Sequence, residues 1–218
     1  MPAPKKRVLV VDDHPLMRNG IVELLNRQTD VMSCGEAGTP EELKEAVAAT
    51  LPDAVLLDLR LGHADGIELI KQLRALYPKL PILVHSMYDE QVYAERVLRA
   101  GADGYVMKEE APDAVMAGLR QVLRGELALS EAIKSDFVRR LLGRPKARED
   151  DPVKAKLTDR ELQVFNLLGS GLKTRQIAEE LSLSVKTIET YRENLKNKLV
   201  LKDAEDLAQA AKQWVEGV

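Results

Sequence analysis

The chain has one cysteine, Cys34, in 218 residues, so it has no intrachain disulfide framework and suits a reducing cytoplasm. Its three histidines, His14, His63 and His85, show no zinc-ligand spacing among themselves or with Cys34. No apolar run approaches bilayer-spanning length. Met1 to Arg7 is basic, but the apolar run after it stops at Asp12, unlike a signal peptide. The expectation is a cytoplasmic protein without membrane contact. No G-x-G-x-x-G follows the first apolar run, which removes the usual dinucleotide fingerprint. Gly169-Ser-Gly-Leu-Lys-Thr174 fails as a phosphate loop, because Leu172 separates the last glycine from the lysine and a helix precedes it. A strongly basic balance is missing too. Residues 1–138 hold 16 Lys+Arg against 22 Asp+Glu, residues 139–156 seven against three, and residues 157–218 nine against ten. That argues against indiscriminate nucleic-acid binding and leaves room for a local patch.

Short apolar runs alternate with helical patterns through the first 124 residues. Strands are predicted at Arg7 to Val11, Val31 to Ala37, Ala54 to Leu59, Pro81 to Ser86 and Gly104 to Met107. Between and after them, helical periodicity covers Leu16 to Leu25, Pro40 to Ala49, Ile67 to Tyr77, Glu90 to Ala100 and Pro112 to Arg124. Five strand–helix units in series call for an α/β fold, a doubly wound five-stranded parallel sheet with helices on both faces. A short helix at Ile133 to Leu142 precedes Gly143–Pro152, a charged, proline-containing linker. Beyond it the chain reads as a small all-α domain, with helices at Asp159 to Ser170, Thr174 to Leu181, Ser184 to Leu199 and Ala204 to Val215.

Chemistry concentrates at the strand ends. The first strand ends in Asp12-Asp13 and the third runs into Asp58; the fourth ends in His85-Ser86, and the fifth carries Tyr105 and Lys108. Open α/β sheets bind ligands at these carboxyl ends. Crowded carboxylates need raised pKa values or a cation, and Mg²⁺ takes one or two carboxylates plus a phosphoryl oxygen. A hydroxyl and an ammonium converging on three acids suit phosphoryl transfer to a carboxylate. His85 beside Ser86 is no catalytic triad, since strand neighbours face opposite ways. An aspartate-nucleophile phosphatase of the haloacid-dehalogenase type needs a second acid two residues on, where this chain has Arg60.

Residues 5–124 resemble the receiver domain of two-component response regulators, a flavodoxin-like fold. The resemblance rests on Val8-Leu-Val-Val-Asp12-Asp13, Leu56-Leu57-Asp58 with Asp65-Gly66, Ile82 to Ser86, and Gly101-Ala-Asp-Gly-Tyr105-Val-Met-Lys108. It implies that Asp58 accepts a phosphoryl group from a sensor histidine kinase. It also implies that Asp12, Asp13, Asp58 and the Arg60 backbone carbonyl hold Mg²⁺. Lys108 would contact the phosphoryl group, and Ser86 and Tyr105 would shift inward as the switch. Three positions depart from the family pattern. Leu61-Gly62 replaces Met-Pro, Met87 replaces a smaller residue and is expected to narrow access, and Glu109 replaces proline after Lys108. A cis Lys108–Glu109 bond would be the costly non-prolyl kind.

Residues 157–202 resemble the LuxR-type helix–turn–helix of the NarL/FixJ class. The match runs through Leu157-Thr-Asp-Arg-Glu161, Gly171, Ile177-Ala178, Leu181-Ser-Leu-Ser184, Thr187-Ile188-Glu189 and Lys198-Leu199, with Tyr191 and Val200 departing from it. Ser184 is placed to cap the recognition helix, and Ile188, Leu195 and Leu199 form its buried stripe. The face offered to DNA comprises Lys186, Thr187, Glu189, Thr190, Arg192, Glu193, Lys196 and Lys198, with Lys202 beyond the helix. Arg192 suits guanine, the acids suit cytosine and the lysines suit phosphates. The organisation expected is a receiver over residues 1–125, a helix and charged linker over 126–156, and a DNA-binding domain over 157–218.

Together these features point to a phosphorylation-dependent transcriptional regulator, not an enzyme beyond phosphorylation from small donors and loss of its own phosphate. Its expected partners are a sensor histidine kinase, promoter DNA and, once phosphorylated, a second copy of itself. The alternatives are a DNA-binding regulator with an unreactive receiver, and a phosphotransfer or phosphatase enzyme. The enzyme would turn over small phosphate esters and ignore DNA.

Overall fold

The structure, a computed structural model, describes residues 4–62, 64–142, 153 and 156–216. His63 and the expected linker Gly143–Pro152 lie outside the described residues. The chain divides into two compact units, Met1–Arg144 and Pro145–Val218.

In the first unit, β1 (Lys6–Val11), β2 (Val31–Ala37), β3 (Ala54–Leu57), β6 (Ile82–Ser86) and β7 (Gly104–Met107) form one parallel sheet in the order β2-β1-β3-β6-β7. Val8 to Val11 and Ala54 to Leu57 are buried on both faces, which is why these strands read as unbroken apolar runs. Five helices connect and cover them: α1 (Pro15–Asn26), α2 (Pro40–Thr50), α3 (Gly66–Leu76), α4 (Glu90–Ala100) and α5 (Pro112–Leu123). The strand order reverses between β1 and β3. Val11 lies beside Leu57, and Leu57 beside Val84, so Asp12 and Asp58 leave the sheet together. That is the switch point at which such sheets bind ligands.

The third strand is shorter than predicted. It stops at Leu57, and a small antiparallel hairpin follows, β4 (Arg60–Leu61) on β5 (Ala64–Asp65). Leu61 is fully buried, Gly62 supplies a left-handed φ of +57°, and the Asp65 carboxylate caps α3 by accepting from the Ile67 N–H at 3.0 Å. Gly66 is required for space, since a Cβ there would come within 2.3 Å of the Leu59 carbonyl oxygen.

After α5, Ala128 bridges to Gly104 at the free edge of β7. The Tyr105 N–H donates to the Ala128 carbonyl at 2.7 Å. A sixth helix, α6 (Glu131–Leu141), follows, and the buried Glu90 of α4 accepts from the Ser130 N–H at its start at 2.9 Å.

The second unit is helical: α7 (Asp159–Gly169), α8 (Thr174–Glu180), α9 (Val185–Leu199) and α10 (Ala204–Glu216). Leu162, Phe165, Ile177, Ile188, Leu195 and Leu207 are fully buried and make its core. Ser184 caps α9 by accepting from the Thr187 N–H at 3.0 Å. The Trp214 indole N–H donates to Asn166 at 2.9 Å and its ring lies 6.4 Å from Phe165, so it packs within this unit.

Candidate functional site

The end of β1, the β3 exit and the residue after β7 bring Asp12, Asp58 and Lys108 together. The Lys108 ammonium lies 2.7 Å from both Asp12 Oδ2 and Asp58 Oδ2, and all three side chains are at most 4 % exposed. The Arg60 N–H donates to Asp58 Oδ1 at 3.1 Å and the Gly62 N–H to Asp13 Oδ2 at 2.9 Å, so the hairpin closes over the acids. The His14 N–H donates to Asp12 Oδ1 at 2.8 Å. Burial pushes the Asp58 carboxyl up to about 6, although the Lys108 charge, its hydrogen bond and that of Arg60 pull the other way. Burial disfavours the Lys108 charge too, but Asp58 and Asp12 outweigh it and hold the ammonium above its ordinary range. Asp12 Oδ2 is held by the Lys108 ion pair, and Asp13 Oδ1 lies 2.7 Å from His14 Nδ1. Asp12, Asp13, His14 and Asp58 each place one donor atom within 4.8 Å of the others.

Ser86 is buried at the end of β6, and its carbonyl accepts from the Lys108 N–H at 2.8 Å. Its hydroxyl accepts from the Tyr88 N–H at 3.3 Å. The Tyr105 hydroxyl donates to the Tyr88 carbonyl at 2.6 Å, and the Tyr88 ring stacks on Tyr93 at 4.8 Å. Tyr105 is buried, and burial raises its phenol above the ordinary range. Met87 is 60 % exposed. No cis peptide occurs among the described residues, the Lys108–Glu109 bond included. His85 is buried and held neutral, its pKa lowered to about 4 by burial and then by Lys108.

In the second unit the expected stripe is two residues deep, with Ile188 and Leu195 buried and Leu199 half-buried. Lys186, Glu189, Thr190, Glu193 and Lys202 are exposed, and Thr187, Arg192, Lys196 and Lys198 half-buried. Three of the predicted cations are engaged inside the unit. Arg192 donates to Thr174 Oγ1 at 2.7 Å, and Lys198 pairs at 2.6 Å with the buried Glu161 of the α7 capping box. Lys196 pairs with Glu193 at 2.7 Å.

Residues 8–120 match the family described as response regulator receiver domain, and residues 155–211 match bacterial regulatory proteins of the luxR family. The chain is 33 % identical to the nitrate/nitrite response regulator protein homolog of Haemophilus influenzae, over 89 % of this chain and 90 % of that protein. The chain belongs to the response regulators. To the nitrate/nitrite response regulator protein NarL of Escherichia coli K12 this regulator is 30 % identical over 92 % of each chain. Among solved structures it is similar to RcsB from Salmonella enterica serovar Typhimurium, bound to a promoter in the presence of phosphomimetic BeF₃⁻. There the TM-score is 0.67 and the identity 26 %, over 99 % of this chain and 100 % of that one. A structure of two RcsB dimers on two parallel DNAs gives a TM-score of 0.56 and 27 % identity, over 94 % and 97 %.

The regulator therefore consists of a receiver followed by a LuxR-type DNA-binding domain, in a family of transcription regulators. Among the described residues, no helix is long and apolar enough to cross a membrane. Sequence reasoning missed several neighbours of the predicted residues. His14 lies at the acidic cluster, and its position right after Asp12-Asp13 is the signal for it in the sequence. Asn194 and Asn197 are exposed on the recognition helix α9, and Asn197 shares the face of Lys186 and Glu193 at helical spacing. The Glu161–Lys198 pair spans 37 residues and leaves no local pattern to read.

Proposed function

We propose that this response regulator is switched by phosphorylation of Asp58 and that the switch governs its binding to promoter DNA. Residues 1–125 receive the signal, residues 126–156 connect, and residues 157–218 read DNA. The observation that carries the reading is the Lys108 ammonium bridging Asp58 and Asp12 at the sheet's switch point. A buried carboxylate with a fixed cation beside it is prepared for attack on phosphorus and for the charge that follows.

The residues present fit Mg²⁺, because Asp12, Asp13 and Asp58 offer carboxylate oxygens that lie within 4.8 Å of one another. Asp12, Asp13, Asp58 and the Arg60 backbone carbonyl would hold it. Bound there, the metal supplies charge neutralisation at the phosphoryl oxygens. An Asp58 oxygen attacks the phosphorus of a sensor kinase phosphohistidine, the P–N bond breaks, and the imidazole leaves with a proton from water. Lys108 stays beside the new phosphoryl group, and the Ser86 hydroxyl gives up Tyr88 to donate to a phosphoryl oxygen. Tyr88 is also the acceptor of Tyr105, so this exchange loosens the β6–α4 segment. The population shifts to a state that pairs with a second copy and reads promoter half-sites. Both kinase and chromosome are met in the cytoplasm.

On DNA, α9 presents Thr187, Glu189, Thr190 and Glu193 to base edges and Lys186 to phosphates, with Lys202 beyond the helix and Lys196 after it leaves Glu193. Arg192 and Lys198 join only by exchanging Thr174 and Glu161 for DNA groups.

The test uses the full chain with acetyl phosphate. With Mg²⁺ the wild type gains one phosphoryl group by intact mass, without Mg²⁺ it gains none, and Asp58→Ala gains none. Equal labelling of Asp58→Ala would overturn the reading.

A further inference from the structure

His14 stands apart from the acids as a nitrogen donor at an oxygen site. Its Nδ1 lies 2.7 Å from Asp13 Oδ1 and 3.4 Å from Asp12 Oδ1, and the ring is 57 % exposed, open to an ion arriving from solvent. The Nδ1–Asp13 Oδ1 contact is an ion pair only when the imidazole is protonated, and a cation bound between the two would take that proton's place. Neighbouring donors in octahedral coordination at roughly 2.1 Å from a metal are about 3.0 Å apart, and the two contacts bracket that separation. The opposite oxygens, Asp12 Oδ2 and Asp58 Oδ2, face Lys108, so the donors near His14 are not the ones the ammonium occupies.

We propose that His14 is a ligand of the divalent cation in the receiver's acidic pocket, which makes the pocket selective for first-row transition ions such as Co²⁺, Ni²⁺ and Zn²⁺ over Mg²⁺. The inference rests on the metal reading given above and adds a nitrogen ligand to it. Imidazole suits these borderline ions, whereas Mg²⁺ prefers oxygen and keeps its waters. Any site of this kind holds Co²⁺ more tightly than Mg²⁺, so the discriminating quantity is how much of that preference His14 supplies.

The experiment titrates the full chain with Co²⁺ and, separately, with Mg²⁺ by calorimetry, for the wild type, His14→Phe and Asp13→Asn. Phenylalanine keeps the ring and removes the nitrogen. Nitrogen coupling from bound Cu²⁺ is recorded by electron spin echo as a second readout. The proposal expects His14→Phe to weaken Co²⁺ by at least tenfold, to leave Mg²⁺ within twofold, and to erase the imidazole coupling. Equal Co²⁺ affinity in the wild type and His14→Phe, or coupling that survives in the variant, overturns it. Failure of the underlying metal site looks different: Asp13→Asn would then bind both ions as the wild type does.

Discussion

Two buried groups on the receiver titrate abnormally in opposite senses. Asp58 has a folded pKa near 6 against an ordinary 3.8, so the folded state keeps a proton the unfolded chain has released. Its contribution is full below about pH 4 and is lost as pH rises through 6. His85 is the mirror case, near 4 in the fold against an ordinary 6.5. Its contribution is full above 6.5 and is lost as pH falls through 4. Over the shared window the two slopes oppose each other. In metal-free buffer, the thermal midpoint of His85→Leu should fall as pH rises from 4 to 6, and that of Asp58→Asn should rise. The wild type should be flatter than both. Parallel slopes in the two variants would show that the opposition is not there.

At the scale of elements, the ends of segments carry the strain. Val200 closes α9 at φ 59°, ψ 46°, a left-handed conformation that a β-branched residue adopts rarely, and its side chain is 80 % exposed. Val200→Gly should stabilise the DNA-binding domain by about 0.5–1 kcal/mol in thermal or denaturant unfolding. Glu161 works the other way. It completes the α7 capping box and receives Lys198 of α9, so it ties the first helix to the recognition helix. Glu161→Ala should cost about 1–2 kcal/mol by the same measurement, and an unchanged midpoint would deny it that role. Gly66→Ala drives a Cβ onto the Leu59 carbonyl and should cost about 1–3 kcal/mol in the receiver.

The elements were largely readable before the fold was known, and their misses share a cause. The buried strands β1 and β3 announce themselves as unbroken apolar runs, and Ser184 marks its helix start locally. The β4–β5 hairpin was invisible because four residues around a turn have no period to detect.

For the whole molecule, the strand ends supplied Asp12, Asp58, Ser86 and Lys108 as candidates, but which of them meet depends on register across four strands. Pairings such as Lys108 with two acids, Arg192 with Thr174 and Lys198 with Glu161 bridge distant segments, and no single-sequence pattern encodes them. The receiver segment is net acidic while residues 157–218 are nearly balanced, so adding phosphate to the receiver gives DNA no electrostatic attraction. On the proposed reading, its effect on DNA binding comes through conformation and pairing of copies.

The most direct measurement is the affinity of the full chain for a duplex it selects from a random pool, before and after phosphorylation, for the wild type and Asp58→Ala. The account predicts that phosphate tightens wild-type binding by about tenfold or more, within the usual range of allosteric coupling, and leaves Asp58→Ala unmoved. Equal wild-type affinity with and without phosphate, or a phosphodonor response in Asp58→Ala, would contradict it.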